Sequence, residues 1–405
     1  MNSQTQNLTD NNMNIIYFVD EFPKLSESFV INEIHALNRR GHDISVLAFS
    51  QSDQEVTHKE LKELDLNVHY IDRPSFTSLP RLLSRQVLSP TLLRQAVFVE
   101  NPLYHASSLY IAKQVIEIVQ AKEDVDLIHS HFAPPNRLGI TYAATCLNIP
   151  CTVTAHAYEI FSNPNVQRLH RVCSRFDHVI VPSNYNKRYL REEVGVNTEM
   201  SVVPATTDVE KFEPSADCVS GRLLTVARLV EKKGHEYAID AVAQLVEQGY
   251  DVEYHIVGSG EREEFLRERV RDRGVEAYVE FLGHVSDERL NRELQEAELF
   301  VLPCVVTADG DRDITPVALR EAMATATVCV STIISAIPEV ITDGHDGVLV
   351  EPNDAEVVAN AVSELLDDSS QREELAQNAR ETIETKFDIR IAVDKLEGIF
   401  GSVQG

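Results

Sequence analysis

Residues 14–50 read NIIYFVDEFPKLSESFVINEIHALNRRGHDISVLAFS. The segment opens with an apolar run of strand length and passes through a polar loop. It continues into residues whose apolar positions have helical spacing, and it closes with a second apolar run. This order of patterns is typical of a strand–helix–strand unit, in which the helix crosses back over the sheet. The segment therefore predicts an α/β domain built on a parallel sheet.

The same alternation continues along the chain in two series. In the first half, residues 125–132, 151–157 and 178–183 have the composition of short buried strands, and segments with helical spacing separate them. A polar stretch with two prolines then precedes a new strand at residues 221–228, where the alternation begins again. We expect two doubly wound, Rossmann-like domains that face each other across a cleft at the carboxyl ends of their strands, where such folds bind ligands.

The predicted division of the chain has four parts. We expect a disordered tail over residues 1–13, an N-terminal domain over 14–208 and a C-terminal domain over 209–385. A final helix within residues 386–405 is expected to pack back toward the N-terminal domain. The length of 405 residues supports two domains, because single hydrophobic cores rarely grow to that size.

The composition of the chain excludes some classes of partner and of cellular location. The formal net charge of -27 argues against nucleic acid, whose binding requires clustered Lys and Arg. The six cysteines form no CxxC pair, which favours reduced thiols over a disulfide framework. The polar start and the lack of an apolar stretch of about 20 residues predict a cytoplasmic protein.

An acidic stretch, DGDRDITPVALREAMA, covers residues 309–324. Its alternating aspartates resemble the start of a calcium loop, but the sixth and twelfth positions are Ile314 and Arg320 where such a loop needs Gly and Glu. The stretch instead predicts a helix that begins at Pro316, with Thr315 as its N-cap. The unpaired N–H groups at the start of a helix favour a phosphate.

Charged side chains surround this predicted helix start. Asp313 in the loop and Glu321 on the second turn could converge on its occupant, and carboxylates suit the hydroxyl groups of a sugar or ribose. Arg228 closes a predicted strand and Lys233 precedes the next helix, so both cations are expected at the same sheet edge. The pattern predicts a site for a ligand that carries both phosphate and hydroxyl groups.

The chain resembles a known family at several of these segments. VARLVEKKGHEYAIDAVAQL at 226–245, IVGSGEREEFL at 256–266 and the acidic stretch with its continuation resemble the C-terminal domain of family 4 glycosyltransferases, which are retaining enzymes of the GT-B fold. In the first half, FPKLSESFVINEIHALNRRGHDI, IHSHFAPPN and TAHAYEIF resemble the exopolysaccharide, colanic-acid-type branch of that family. The resemblance implies transfer of a hexose-type sugar, with retention of anomeric configuration, from a UDP- or GDP-sugar to a saccharide or lipid-linked acceptor. It implies neither a metal nor another cofactor.

The resemblance also implies roles for individual residues. Arg228 and Lys233 would hold the donor diphosphate, and Glu321 would bind the ribose. Asp313 and His156 would contact the transferred sugar as the catalytic pair. The residues at the helix start would complete the donor site, and three residues of the loop after the first strand are candidates for the acceptor side. These two groups are Ile314, Thr315, Pro316 and Val317, and Lys24, Ser26 and Glu27.

The sequence departs from the family pattern at several positions. Asp313 stands where the family's E-x7-E motif begins with Glu, Ile314 follows it in place of glycine, and further glycines are replaced at 325–326 and 335–336. Each replacement adds a side chain where backbone would approach the ligand. Two alternatives therefore stay open: a degenerate GT-B protein that binds a nucleotide sugar or a partner without transfer, and a sugar-nucleotide epimerase.

Two further features have competing interpretations. His129 and His131 share one face of a predicted strand and could hold zinc with His156, but no fourth ligand is apparent, which favours a core pair or a lining of the acceptor cleft. Residues 73–99 contain no acidic residue and combine leucines with arginines. They predict either a segment that contacts an anionic membrane through Arg81, Arg85 and Arg94, or helices packed on the N-terminal domain.

Overall fold

The computed structural model describes residues 12–24, 27–52, 64, 66–74, 102–122, 124–156, 160–161 and 165–404. The predictions for the tail up to residue 11, for Ser26, and for Arg81, Arg85 and Arg94 lie outside these residues.

The first half of the chain forms a seven-stranded parallel sheet with the order β3-β2-β1-β4-β5-β6-β7. Its strands are β1 (Asn14–Phe18), β2 (Asp43–Ala48), β3 (Asn67–Tyr70), β4 (Leu127–His131), β5 (Cys151–Thr154), β6 (His178–Val181) and β7 (Met200–Val202). Its helices are α1 (Ser28–Arg39), α2 (Pro102–Ala121), α3 (Leu138–Leu147), α4 (Val166–Cys173) and α5 (Asn184–Glu192).

The second half forms a six-stranded parallel sheet with the order β10-β9-β8-β11-β12-β13. Its strands are β8 (Arg222–Val226), β9 (Glu253–Val257), β10 (Val279–Gly283), β11 (Leu299–Leu302), β12 (Val328–Thr332) and β13 (Val348–Val350). Its helices are α6 (His235–Glu247), α7 (Glu263–Arg273), α8 (Asp287–Glu296), α9 (Val317–Ala324), α10 (Ala355–Asp367) and α11 (Ser369–Thr382). Each sheet follows the strand order of the doubly wound fold, which confirms the predicted fold class.

Both faces of each sheet are covered, and the strand sequences show why. In β1, Ile15 and Tyr17 enter one apolar core while Ile16 and Phe18 enter the other. Successive side chains of a strand point to opposite faces, so a strand buried on both sides needs an uninterrupted apolar run. The run of apolar residues from Ile15 to Val19 meets that requirement.

The last helix, α12 (Ile389–Gln404), packs on the N-terminal domain. Its apolar face shares a core with α1 and β1, and Arg40, which follows α1, forms an ion pair with Glu397, with an N···O distance of 2.7 Å. The two connections between the domains run side by side, because Thr207 and Asp388 form a parallel bridge. Both connections thus pass between the domains at the same place. The five apolar residues of α12 in this core are Ala392, Val393, Leu396, Ile399 and Phe400.

The start of α9 differs from the prediction by one residue. The helix begins at Val317, and Pro316 occupies the N-cap position with a ψ of 128°, outside the helical range. Thr315 is therefore not the cap, and no side chain caps this helix. The first N–H groups of α9 are left without the side-chain acceptor that an N-cap residue supplies.

Candidate active site

A cavity of about 520 Å³ opens between the two domains. Its floor is formed at the carboxyl ends of β8 and β9, by Arg228 and Gly258, and by the first turns of α9. Phe29 and Asn32 of α1 face these residues from the N-terminal domain. Ligand pockets for drug-sized molecules commonly have roughly 300–1,000 Å³, so the cavity suits a nucleotide.

Three of the predicted donor residues line this cavity: Arg228, Val317 and Glu321. Burial raises the pKa of the Glu321 carboxyl to about 7, against the opposing charges of Lys211 and Arg320. The carboxyl can therefore accept or donate hydrogen bonds near neutral pH. It is suited to a ligand with several hydroxyl groups.

Lys233 and Asp313 lie together, bound to each other. Lys233 Nζ is 2.6 Å from Asp313 Oδ2, and both side chains are largely buried. Burial opposes ionisation of Asp313, but Lys233, Lys232 and Arg228 outweigh it and lower the pKa of the carboxyl. Burial likewise opposes the charge of Lys233, and Asp313 outweighs it and raises the pKa of the ammonium. The predicted phosphate-binding cation and the predicted sugar-binding carboxylate are thus one buried ion pair.

Glycine backbones allow the loops at this edge to pack closely. A Cβ on Gly258 would lie 2.0 Å from the carbonyl oxygen of Ala227, and one on Gly234 would lie 1.9 Å from that of Pro303. Both glycines also have positive φ. Gly258 therefore has a packing role beside Arg228, because a side chain at this position would collide with the backbone of Ala227.

His156 lies on the opposite side of the cleft, beside a small cavity of about 30 Å³ that shares Phe29 with the larger one. Its Nε2 is 3.1 Å from Nδ1 of His131, and His131 Nε2 is 3.2 Å from Oε1 of Glu33. Burial, with the nearby His131, lowers the pKa of His156 well below its usual value. The imidazole of His156 is therefore neutral at pH 7.

Glu33 could not be predicted from the sequence pattern, because it lies 98 residues from His131 along the chain. Glu33, His129 and His131 place one potential metal-ligand atom each within 4.8 Å of the others, so a carboxylate does stand beside the histidine pair. These atoms already have partners: the Tyr17 hydroxyl donates to Glu33 Oε1 at 2.7 Å, and Thr154 Oγ1 lies 3.2 Å from His129 Nε2. The cluster is a satisfied hydrogen-bond network.

The acceptor-side candidates that the structure describes are paired with each other. Lys24 Nζ lies 2.7 Å from Glu27 Oε1, and neither residue lines the two cavities of the cleft. Asp20, which follows β1, was not among the residues predicted from the sequence. The fully buried Arg137 donates a hydrogen bond to Asp20 Oδ1 at 3.0 Å. Burial opposes ionisation of Asp20, but the charge of Arg137 outweighs it and lowers the pKa of the carboxyl.

Contacts across the cleft join the two domains at a second place. Glu339 accepts hydrogen bonds from the backbone N–H groups of Asn184 and Tyr185, each at 2.7 Å, at the first turn of α5. Arg312 donates to the Tyr185 hydroxyl at 3.1 Å and lies over the ring of Phe161. A carboxylate at a helix N-terminus is favourable, so these contacts stabilise the closed arrangement of the domains.

Two doubly wound domains with a cavity between their carboxyl edges define the GT-B class of transferases. Family models support this assignment. Residues 26–211 match the model described as Glycosyltransferase Family 4, and residues 210–382 match the model described as Glycosyl transferases group 1.

Individual relatives match over nearly the whole chain. WcaL of Escherichia coli strain K12, provisionally named a colanic acid biosynthesis glycosyltransferase, is 30% identical over 94% of this chain and 97% of its own. The amylovoran biosynthesis glycosyltransferase AmsK of Erwinia amylovora is 28% identical over 96% of this chain and 99% of its own. The chain belongs to family 4 of the glycosyltransferases.

A solved structure shows the same fold. HepE of Anabaena, crystallised in complex with UDP-glucose, is similar with a TM-score of 0.74 at 18% identity, over 96% of this chain and 100% of HepE. In the part of the chain that the structure describes, no helix is both long and apolar enough to span a membrane.

Proposed function

We propose that this glycosyltransferase moves a hexose-type sugar from a nucleotide sugar to a saccharide or lipid-linked acceptor, with retention of anomeric configuration, in exopolysaccharide biosynthesis. The single observation that carries the proposal is the cavity in which Arg228, Val317 and Glu321 converge opposite Phe29 and Asn32. The names of WcaL and AmsK support the pathway, and the UDP-glucose complex of HepE supports a nucleotide-sugar donor.

The donor diphosphate would lie between Arg228 and the start of α9. The guanidinium supplies a fixed positive charge at the end of β8. The unpaired N–H groups in the first turn of α9, which begins at Val317, would donate to a diphosphate oxygen. Both interactions stabilise the charge that develops on the leaving diphosphate, which is the main contribution we assign to the protein.

The ribose and the transferred sugar would contact carboxyl groups. Glu321 would accept hydrogen bonds from the ribose hydroxyls inside the cavity. Asp313 is held by Lys233, so a diphosphate that approaches Lys233 would compete for the ammonium and leave Asp313 to bind a sugar hydroxyl. The buried pair thus couples occupation of the phosphate site to the availability of the sugar-binding carboxylate.

His156 would reach the same sugar from the N-terminal domain. The Glu33 carboxylate accepts a hydrogen bond from His131 Nε2, which leaves the lone pair of His131 on Nδ1 to accept from His156 Nε2. This arrangement places the lone pair of His156 on Nδ1. We infer that Glu33 and His131 are positioning residues that set the tautomer of His156.

The acceptor would bind to the N-terminal domain, beside the loop that follows β1. Asp20, Lys24 and Glu27 follow the carboxyl end of β1, at the edge of the sheet where the cleft opens. The acid-free segment 73–99, with Arg81, Arg85 and Arg94, supports a contact with anionic lipid on sequence grounds alone. A lipid-linked acceptor would be consistent with that contact.

Thermal stabilisation by nucleotide sugars tests the donor site. The purified protein is heated with a panel of UDP-, GDP- and ADP-sugars, with magnesium and with a chelator. We expect stabilisation by one nucleotide class in both conditions, and its loss in Arg228→Ala. Arg267→Ala is the matched control, because Arg267 pairs with Glu263 in α7 at the surface.

Product analysis then separates the three functions. Slow hydrolysis of the stabilising nucleotide sugar to free sugar of unchanged anomeric configuration would support a retaining transferase. Isomerised nucleotide sugar without acceptor would indicate an epimerase. Binding without either product would indicate the degenerate binding protein, and no binding at all would contradict the proposed donor site.

A further inference from the structure

A second group of potential metal ligands lies in the C-terminal domain, at the edge of its sheet. Glu253 and His255 are two residues apart on β9, so their side chains share one face. Glu280 lies directly beside His255 on the edge strand β10. Three side chains of ligand type therefore meet on one face of two neighbouring strands.

The distances among these side chains fit a single ion. His255 Nε2 is 3.0 Å from Glu253 Oε1 and 3.7 Å from Glu280 Oε2, and the three atoms all lie within 4.8 Å of one another. Two ligands of a tetrahedral Zn²⁺, each about 2.0–2.1 Å from the ion, lie roughly 3.4 Å apart. Small rotations of the two exposed carboxylates would bring all three atoms to coordination distance.

The imidazole of His255 is oriented from its other side. His255 Nδ1 is 2.7 Å from Oε2 of Glu293, a carboxylate on α8 that is completely buried. A carboxylate that accepts from Nδ1–H leaves the lone pair on Nε2, which is the arrangement found behind metal-bound histidines. Glu293 thus prepares Nε2 of His255 to act as a ligand.

The Nε2 atom is buried and forms no hydrogen bond, although two carboxylates lie within ion-pair distance of it. The His255 side chain is 4% exposed, and Nε2 forms no hydrogen bond. Glu253 Oε1 lies 3.0 Å from Nε2, which is within hydrogen-bond distance. Because no hydrogen bond forms, this oxygen must lie away from the direction in which an Nε2 proton would point. Buried polar atoms without hydrogen bonds are rare and require an explanation. A cation between Nε2 and the two carboxylates would supply one.

The surroundings leave the ligand atoms available. Arg222 binds the other carboxylate oxygen of Glu253, with Nη2 2.9 Å from Oε2, so Oε1 remains for a cation. Glu253 and Glu280 are 49% and 63% exposed, which gives an ion access from solvent. At Glu33, His129 and His131, by contrast, hydrogen bonds already occupy the potential ligand atoms.

We propose that Glu253, His255 and Glu280 bind one divalent first-row transition-metal ion, with Glu293 orienting His255. A nitrogen and two carboxylate oxygens suit Zn²⁺ and its neighbours, with water completing the coordination. The ion would join β9 and β10 and, through Glu293, α8, whose first residue Asp287 lines the interdomain cavity. The site is structural and lies outside the proposed donor site.

The experiment is a competition titration of Zn²⁺ between the protein and a chromophoric chelator, in the full chain without nucleotide. We expect one Zn²⁺ per chain, with affinity reduced at least about 10-fold in Glu280→Gln and lost in His255→Gln. Glu280 is exposed, so its variant keeps the fold even if His255→Gln does not. His345→Gln, at a surface histidine bound to Asn378, is the matched control and should bind like the wild type.

Two further variants make the result decisive. Glu293→Gln should weaken Zn²⁺ by about 10- to 100-fold, as loss of an orienting carboxylate does. His131→Gln should bind normally. Absence of binding, equal affinity in wild type and Glu280→Gln, or loss in His131→Gln alone would each overturn the proposal.

Discussion

Glu321 links the chemistry of the cavity to the stability of the chain. An unfolded Glu has a pKa of about 4.3, whereas burial raises the pKa of Glu321 to about 7. The native protein therefore keeps a proton that the unfolded chain loses between these values. The free energy of unfolding consequently falls as pH rises through this window and stays lower above it.

The variant Glu321→Gln should remove this dependence. Because Gln cannot ionise, we expect the variant to be more stable than the wild type by about 2 kcal/mol at pH 8 and by much less at pH 5. Urea unfolding at both pH values measures the difference. Glu351→Gln, at an exposed position, is the control and should show none. An equal difference at both pH values would show that Glu321 is not the titrating group.

Two residues occupy left-handed backbone conformations at positions where related sequences were expected to have glycine. Ala326 has a φ of 57° and Ser335 a φ of 51°, and the buried hydroxyl of Ser335 has no hydrogen-bond partner. We expect Ser335→Gly to raise stability by about 1 kcal/mol, because it relieves the backbone and removes an unsatisfied group.

Ala326→Gly is the matched comparison for this substitution. It makes the same backbone change without removing a hydroxyl, and the entropy of glycine in the unfolded chain offsets part of the gain. We therefore expect a smaller rise in Tm than for Ser335→Gly, measured by calorimetry. A fall in Tm for Ser335→Gly would mean that its side chain makes a favourable contact that the backbone strain does not outweigh.

At the scale of elements, α1 connects the core of the N-terminal domain with both cavities of the cleft. Phe29, Asn32 and Glu33 lie at helical spacing on one side of α1, and the last of these supports the His131–His156 pair. We expect Glu33→Gln to lower kcat by about 10- to 100-fold with little change in the donor KM, because His156 would lose its fixed tautomer and position.

The pH profile distinguishes this positioning role from a merely structural one. A Gln at position 33 can hydrogen-bond His131 with either its oxygen or its amide nitrogen, so the pH dependence of kcat should shift while Tm stays near that of the wild type. Glu117→Gln, at an exposed carboxylate that pairs with Lys113 on α2, is the matched control. An unchanged kcat in Glu33→Gln would contradict the role assigned to the network.

The elements show which parts of the structure the sequence determines locally. The apolar runs and helical spacings predicted both sheets, because a buried strand and the helix that covers it are each encoded within a few residues. The predicted start of α9 was wrong by one residue, because the backbone of Pro316 stays extended, with a ψ of 128°. Arg228, Val317 and Glu321 could be placed at one sheet edge because the fold itself brings strand ends together.

The remainder of the site depends on contacts between distant segments. Glu33 meets His131 only after β1, α1 and β4 have assembled, and the ion pair of Lys233 with Asp313 forms between two separate loops. Neither pairing leaves a periodic trace in the sequence. The role of each predicted site residue therefore stays a prediction for the variants above.

At the scale of the whole molecule, the two domains touch on both sides of the cavity. The bridge between Thr207 and Asp388 and the packing of α12 join them on one side. On the other side, Glu339 of the C-terminal domain joins them through its hydrogen bonds to the first turn of α5. The first contact involves the covalent chain connections, whereas the second consists of side-chain interactions alone, which we expect to break when the domains open. We call the two connections at Thr207 and Asp388 the hinge, and the contacts of Glu339 with the first turn of α5, on the opposite side of the cavity, the latch.

The latch predicts how the domains respond to loss of one carboxylate. A carboxylate at a helix N-terminus contributes about 1 kcal/mol, which corresponds to roughly a fivefold change in an equilibrium. We expect Glu339→Ala to shift the free protein toward open forms and to raise the donor KM severalfold, since the cavity is complete only when the domains are close. Small-angle scattering should show a larger radius of gyration for the variant, and a saturating nucleotide sugar should restore the wild-type value. Glu351→Ala provides the control, and equal radii for Glu339→Ala and the wild type without ligand would show that the hinge alone sets the domain arrangement.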